Sequence, residues 1–179
     1  MSKHLSDDRN NAGSKGEAAV HDWLVQLYGL PRVMVAEKRL QDANVDFVVL
    51  PKGEPKLYIE AKADRNIERS GNFAFELGRI KHDLPLSHFF YPSWFIASQA
   101  NALVVYGPFR RLLYVMSMTE ARRAANEYVR EQRGRTQWRA VFTDFHRTSI
   151  NLLMPVSEVP HDRWQYNADG RYWEQAVAA

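Results

Sequence analysis

Residues 45–62, VDFVVLPKGEPKLYIEAK, constrain this chain more than any other stretch, because acids and a lysine interrupt two runs that otherwise read as buried strands. Val45 to Leu50 and Leu57 to Ala61 are apolar, and Pro51, Gly53 and Pro55 break the chain between them as a hairpin loop does. Side chains alternate along a strand, so Tyr58, Glu60 and Lys62 share one face while Leu57, Ile59 and Ala61 share the other. If the loop closes symmetrically, Leu50 pairs with Lys56 and Asp46 falls opposite Glu60, with Cβ atoms roughly 5 Å apart. Two carboxylates that close repel unless something positive sits between them. A divalent cation, taking oxygen ligands at about 2.0 to 2.5 Å, fits that gap. Lys62, one strand step on, is then placed to hold a phosphate or an attacking water beside the metal. The competing reading is a solvated strand face whose Glu-Lys neighbours do nothing.

An acidic residue, a hairpin and then Glu-x-Lys is the pattern made by Asp46, Glu60 and Lys62, and in it the chain resembles the PD-(D/E)xK nuclease superfamily with its restriction-endonuclease-like core. Val45 stands where the family's name places a proline. The resemblance implies an α/β fold, a restriction-endonuclease-like mixed β-sheet flanked by helices, and a metal-dependent deoxyribonuclease. Asp46 and Glu60 would hold one or two Mg²⁺ ions, with Mn²⁺ as a substitute and the Ala61 carbonyl as a further ligand, and Lys62 would orient or deprotonate water. It also implies a glutamate from the first helix. Glu17 is the position that would supply it, in a context, Gly13-Ser14-Lys15-Gly16-Glu17, that resembles Holliday-junction resolvases of the superfamily. Ser14 and Glu17 equally form S-x-x-E, a capping box at a helix start. Ser70-Gly71-Asn72, followed by an aromatic strand carrying Glu76, resembles phage-borne members; Glu76 is either an extra ligand or a surface group.

Around this centre, residues 1–13 lack periodicity and read as a mobile arm. A helix is expected from Ser14, with Val20, Trp23, Leu24, Leu27 and Tyr28 as its apolar stripe, ending near Gly29. Strands are expected at Val33 to Val35, Phe73 to Leu77, Trp94 to Ala97, Ala102 to Tyr106 and Leu112 to Met116. A hairpin from Val141 to Phe145 and Thr148 to Val156 follows, turning at His146 and Arg147. Arg79 to His88 reads as a turn or short helix, with His82 and His88 as surface histidines. Thr119 is expected to cap a second helix whose stripe is Ala121, Ala124, Ala125, Tyr128 and Val129. The arginines that follow it, through Arg133, Arg135 and Arg139, are interleaved with acids and read as a solvated face. Arg65, Arg69 and Asn72 in the loop after Lys62, with Lys15, are candidates for touching DNA phosphates, RNA not being excluded; a solvated loop is the plainer reading of each.

At 179 residues the chain reads as one domain over residues 14–160, followed by an aromatic tail, residues 161–179, that docks on the core or on a second subunit of a homodimer. The absence of cysteine removes disulfides, thiolate metal sites and cysteine nucleophiles. A net charge of +3 suits a polyanionic partner without demanding one. No apolar run approaches the roughly 20 residues of a membrane span, and no secretory leader is evident, so a cytoplasmic location is expected. The rival function class is a non-catalytic DNA-binding or assembly factor of phage or mobile-element type with the same fold. Such a relative would be expected to have lost Asp46, Glu60 or Lys62, and all three are present.

Overall fold

The computed structural model describes residues 3–81, 90–132, 138–144 and 147–176. Helix α1 (Lys3–Tyr28) leads into an antiparallel meander of β1 (Val33–Val35), β2 (Phe47–Val49) and β3 (Leu57–Ala63), with the short helix α2 (Lys38–Asp42) between the first two strands. After helix α3 (Ile67–Ser70) the chain builds β4 (Asn72–Lys81), β5 (Phe90–Pro92) and helix α4 (Trp94–Ala97). It then returns as β6 (Ala102–Gly107), parallel to β3, and β7 (Leu112–Ser117), antiparallel to β6. Helix α5 (Met118–Glu131), β8 (Trp138–Asp144), β9 (Arg147–Pro155), β10 (Asp162–Asn167) and β11 (Tyr172–Gln175) complete the order. The architecture is mixed α/β: a seven-stranded sheet, β1-β2-β3-β6-β7-β10-β11, and a four-stranded antiparallel sheet, β5-β4-β9-β8.

Alternation along the strands gives the large sheet two apolar faces. On one, Phe47, Val49, Ile59, Ala61 and Val104 pack with Val20, Trp23 and Leu24 of α1. On the other, Val48, Leu103 and Val105 meet Phe73 and Phe75 of β4, Leu152 and Met154 of β9, and Ala121, Ala124 and Ala125 of α5. β3 lies between β2 and β6 with a core on each side, which is why Glu60 is only 1% exposed. Gly16 lets α1 close on this strand. A Cβ added there would lie 2.7 Å from the Ala63 Cβ, nearer than two such carbons can approach, so a larger residue would push the helix away.

Several expectations are corrected. The first helix runs from Lys3, not from Ser14, so residues 3–13, within the stretch that reads as an arm, are helical, and Ser14 lies inside the helix, where it cannot be an N-cap. The segment has no proline, and extending an existing helix is far cheaper than nucleating one. Trp94 to Ala97 is a helical turn, not a strand: Pro92 and Ser93 end β5, and Ser93 becomes the N-cap position. The cap of α5 is Ser117, whose Oγ accepts the Glu120 N–H at 3.3 Å, rather than Thr119. Arg79 belongs to β4, not to a turn, while His82, His88, Arg133, Arg135 and His146 lie outside the described residues. The aromatic tail joins the sheet, β10 pairing with β7, and Gln26 of α1 grips the Trp173 backbone through both its N–H (2.5 Å) and its carbonyl (2.6 Å). Among the described residues no helix is long and apolar enough to cross a membrane.

Candidate functional site

The hairpin closes in the symmetrical register, with Val49 opposite Leu57, Val48 opposite Tyr58 and Phe47 opposite Ile59, which carries Asp46 to the level of Glu60. There the regular ladder ends. The Asp46 N–H donates to the Ile59 carbonyl at 2.8 Å, and Asp46 Oδ2 accepts the Ala61 N–H at 2.8 Å, taking the place a further backbone carbonyl would hold. The Ala61 N–H and C=O project to the same side of the strand, so its carbonyl also faces the Asp46 side.

Among the described residues, Glu60 stands out electrostatically. Its Oε1 forms an ion pair with Lys62 Nζ, while Oε2 is buried with no hydrogen-bond partner. Burial pushes its carboxyl up to about 7; Lys62 opposes the rise, and the charges of Asp46 and Glu17 add to it. Glu17, exposed on α1, is raised as well, first by partial burial and then by Asp46, against Lys62. Glu17 and Asp46 line one hollow of about 380 Å³ with His21 and Gln41. Two turns of sequence logic explain the convergence: Gly16 brings α1 onto the end of β3, and Glu17 is the next residue. Among the described residues no three His, Asp or Glu side chains are already gathered as metal ligands; Glu60 is turned to Lys62.

Lys62 Nζ also lies 5.3 Å from the centre of the Trp94 ring. Beyond it opens a cavity of about 220 Å³ lined by Lys62, Asp64, Phe75, Glu76, Trp94 and Asn151, among others. Glu76 therefore shares a cavity with Lys62, but its oxygens are served by the protein. Arg79 Nε donates to Oε1 at 2.5 Å and Ser149 Oγ donates to the same atom at 3.1 Å. Burial raises the Glu76 carboxyl, and hydrogen bonds from Arg79, Ser93 and Ser149 outweigh it, leaving the group below the usual carboxylate range.

The candidate phosphate-binding residues lie on α1 and in the segment from the end of β3 to the start of β4. Lys15, Arg65 and Arg69 are exposed, Arg69 donating to Asn66 Oδ1 at 3.3 Å. Asn72 spends its amide on the Ser70 carbonyl (2.9 Å), closing the turn in which Gly71 has φ 67°. Trp94 and Asn151 were not foreseen as site residues. The Pro92-Ser93 break was the available signal for Trp94, whereas Asn151 reaches the cavity only through the pairing of β9 with β4. No family model, no curated protein and no solved structure matches this chain, so the chemistry of the site is argued from its own residues.

Proposed function

We propose that this chain is a metal-dependent nuclease that hydrolyses DNA phosphodiester bonds at Asp46, Glu60 and Lys62, on a restriction-endonuclease-like core. The observation that carries the reading is the Glu60 carboxylate, 1% exposed, with Oε2 unpartnered and Lys62 beside it. Nearly all buried polar atoms have a partner, and an ionised one left without costs on the order of 1–3 kcal/mol or more. A first helix followed by the antiparallel strands β1, β2 and β3, with the short α2 inserted between the first two, supports the fold assignment.

The donor set suits a hard cation. Glu60 and Asp46, with Glu17 and the Ala61 carbonyl at the edge, would hold Mg²⁺ or Mn²⁺ through oxygen. When bound, such an ion supplies an acidified water and charge neutralisation at the scissile phosphate. Lys62 does the rest: its ammonium leaves Glu60 for the phosphate, neutralises it and fixes the line of attack. Lys15, Arg65 and Arg69 meet flanking phosphates, so binding weakens as salt rises. As the resemblance to the PD-(D/E)xK superfamily implies, the cut would leave a 5′-phosphate and a 3′-hydroxyl. The Lys62–Glu60 contact itself favours a second reading, a non-catalytic DNA-binding factor of phage or mobile-element type in which the pair is a closed structural bridge.

Cleavage decides between them. Purified protein is expected to cut DNA with Mg²⁺ or Mn²⁺, to be silent in EDTA, and to bind with little cutting in Ca²⁺, whose looser coordination sphere positions water less well. Duplex, single-stranded, flap and branched DNA are the substrates to offer, with RNA as control. If none is cut while Lys62→Ala binds one of them as well as the wild type does, the nuclease reading fails and the accessory-factor reading takes its place.

A further inference from the structure

The cavity beside Lys62 is furnished for something other than a metal ion. Its walls combine the aromatic side chains Phe73, Phe75 and Trp94 with the hydrogen-bonding groups of Glu76 and Asn151. A hard cation has no use for aromatic walls, and a phosphate would be repelled by Glu76. A nucleobase has the matching chemistry: flat π faces, a polar edge, and a fixed tether to the phosphate that Lys62 would hold. We infer that the cavity receives the base of one unpaired nucleotide beside the scissile phosphate, stacked on Trp94 with its edge met by Glu76 and Asn151, so that the substrate class is single-stranded or locally unpaired nucleic acid. The inference rests on the nuclease reading for the position of the phosphate at Lys62.

Three features carry it. At about 220 Å³, a half-open hollow between β3 on one side and β4 with β9 on the other, the space admits a single ring system and not a base pair. The polar groups at its wall meet a base edge only once that base has left the stack, since a hollow of this size cannot take a base together with its partner. Arg79 and Ser149 fix the Glu76 carboxylate in orientation, which makes it an acceptor for base N–H groups. A base presenting two adjacent N–H groups, as unpaired guanine does with N1–H and its N2 amine, is therefore favoured over thymine, which offers N3–H alone. Lys62 links base and phosphate: in the free protein its ammonium covers the Trp94 ring at 5.3 Å, and when the phosphate draws it away the ring face becomes the stacking platform. Stacking on an aromatic platform tolerates sequence and strengthens single-strand binding.

The test uses oligonucleotides carrying one 2-aminopurine, titrated with the full chain in EDTA so that no cutting intervenes. Single strands are expected to bind with quenching of the 2-aminopurine, and matched duplexes to bind more weakly without it. Trp94→Ala is expected to lower single-strand affinity about tenfold to a hundredfold, and Trp94→Phe, which keeps a ring and most of the packing, to lower it less. Duplex bound as tightly as single strand, or a circular-dichroism-intact Trp94→Ala that binds as the wild type does, would overturn the inference. Should Trp94→Ala fail to fold, the wild-type probe decides: an unquenched base overturns the pocket. A protein that quenches the probe and never cuts with Mg²⁺ keeps the pocket and loses the nuclease. One that cuts duplex and single strand equally, without quenching, loses the pocket and keeps the nuclease.

Discussion

Glu60 of β3 and Glu76 of β4 are both carboxylates withdrawn from water, one in each sheet, and their surroundings differ in a way that separates an acid with room for a metal ion from one held fixed by the protein's own donors. Around Glu76 the protein supplies the counter-charge and the donors: Arg79, Ser93 and Ser149 donate to it, and its carboxyl is held ionised, below the usual range despite burial. Around Glu60 one oxygen has Lys62 and the other has nothing, and its carboxyl rises to about 7. A satisfied buried acid ties strands together. An unsatisfied one costs stability, and keeps its coordination capacity for a partner that arrives from outside.

The sharpest break between the two is in activity. Glu60→Gln and Lys62→Ala are each expected to lower DNA cleavage with Mg²⁺ at least about a thousandfold, the scale of losing several kcal/mol of charge stabilisation at the phosphate. Thermal melts of metal-free Glu60→Gln should at the same time show no loss of stability near neutral pH, because the substitution removes a buried charge. Cleavage by Glu60→Gln within tenfold of wild type would place the chemistry elsewhere.

The pH dependence of stability is next in size. The unfolded chain gives up the Glu60 proton near its ordinary value of 4.5 and the folded chain near 7, so between those values the native state holds the extra proton. Native stability from this group is therefore full below 4.5 and is lost as pH rises to 7. In metal-free buffer, the stability of wild type relative to Glu60→Gln should fall by on the order of 3 kcal/mol across that window, read from urea melts at a series of pH values. A flat difference would show that Glu60 is not held protonated by its surroundings.

Glu76→Gln tests the other half. It removes the acceptor of the Arg79 bond at 2.5 Å, and with Arg79 half-exposed the cost is expected at about 1–3 kcal/mol, with divalent-metal binding unchanged. Glu17→Gln should do the reverse on a smaller scale: stability within about 0.5 kcal/mol of wild type, as for an exposed helix residue, but a several-fold weaker Mn²⁺ affinity, since Glu17 is coupled to Asp46 and Glu60. Unchanged metal affinity would leave Glu17 outside the site.

Much of this contrast was legible in residues 45–62 and little of it elsewhere. Pro51 and Pro55 fence the hairpin loop so tightly that the register of Val49 with Leu57 could be counted from the sequence. The burial of Glu60 could not, because it depends on β6 arriving parallel to β3 after a long excursion through β4, β5 and α4. The satisfaction of Glu76 was equally hidden, since its partner Ser149 lies 73 residues away in sequence. Trp94 was misplaced because Trp-Phe-Ile carries strong strand propensity, which the Pro92-Ser93 break overrode. At α5 the helix signal was present but read two residues late: Ser117 and Glu120 form the S-x-x-E pattern, and Thr119 drew the assignment.

Direct measurement of Mn²⁺ binding to wild type and Glu60→Gln, by the loss of the free-ion electron paramagnetic resonance signal, bears on the central claim without depending on any substrate. Wild type is expected to take up Mn²⁺ with release of protons near pH 7, as a carboxyl with a pKa of about 7 must ionise to bind it, and Glu60→Gln to bind at least tenfold more weakly. Equal uptake by both proteins, or none by either, would contradict that claim.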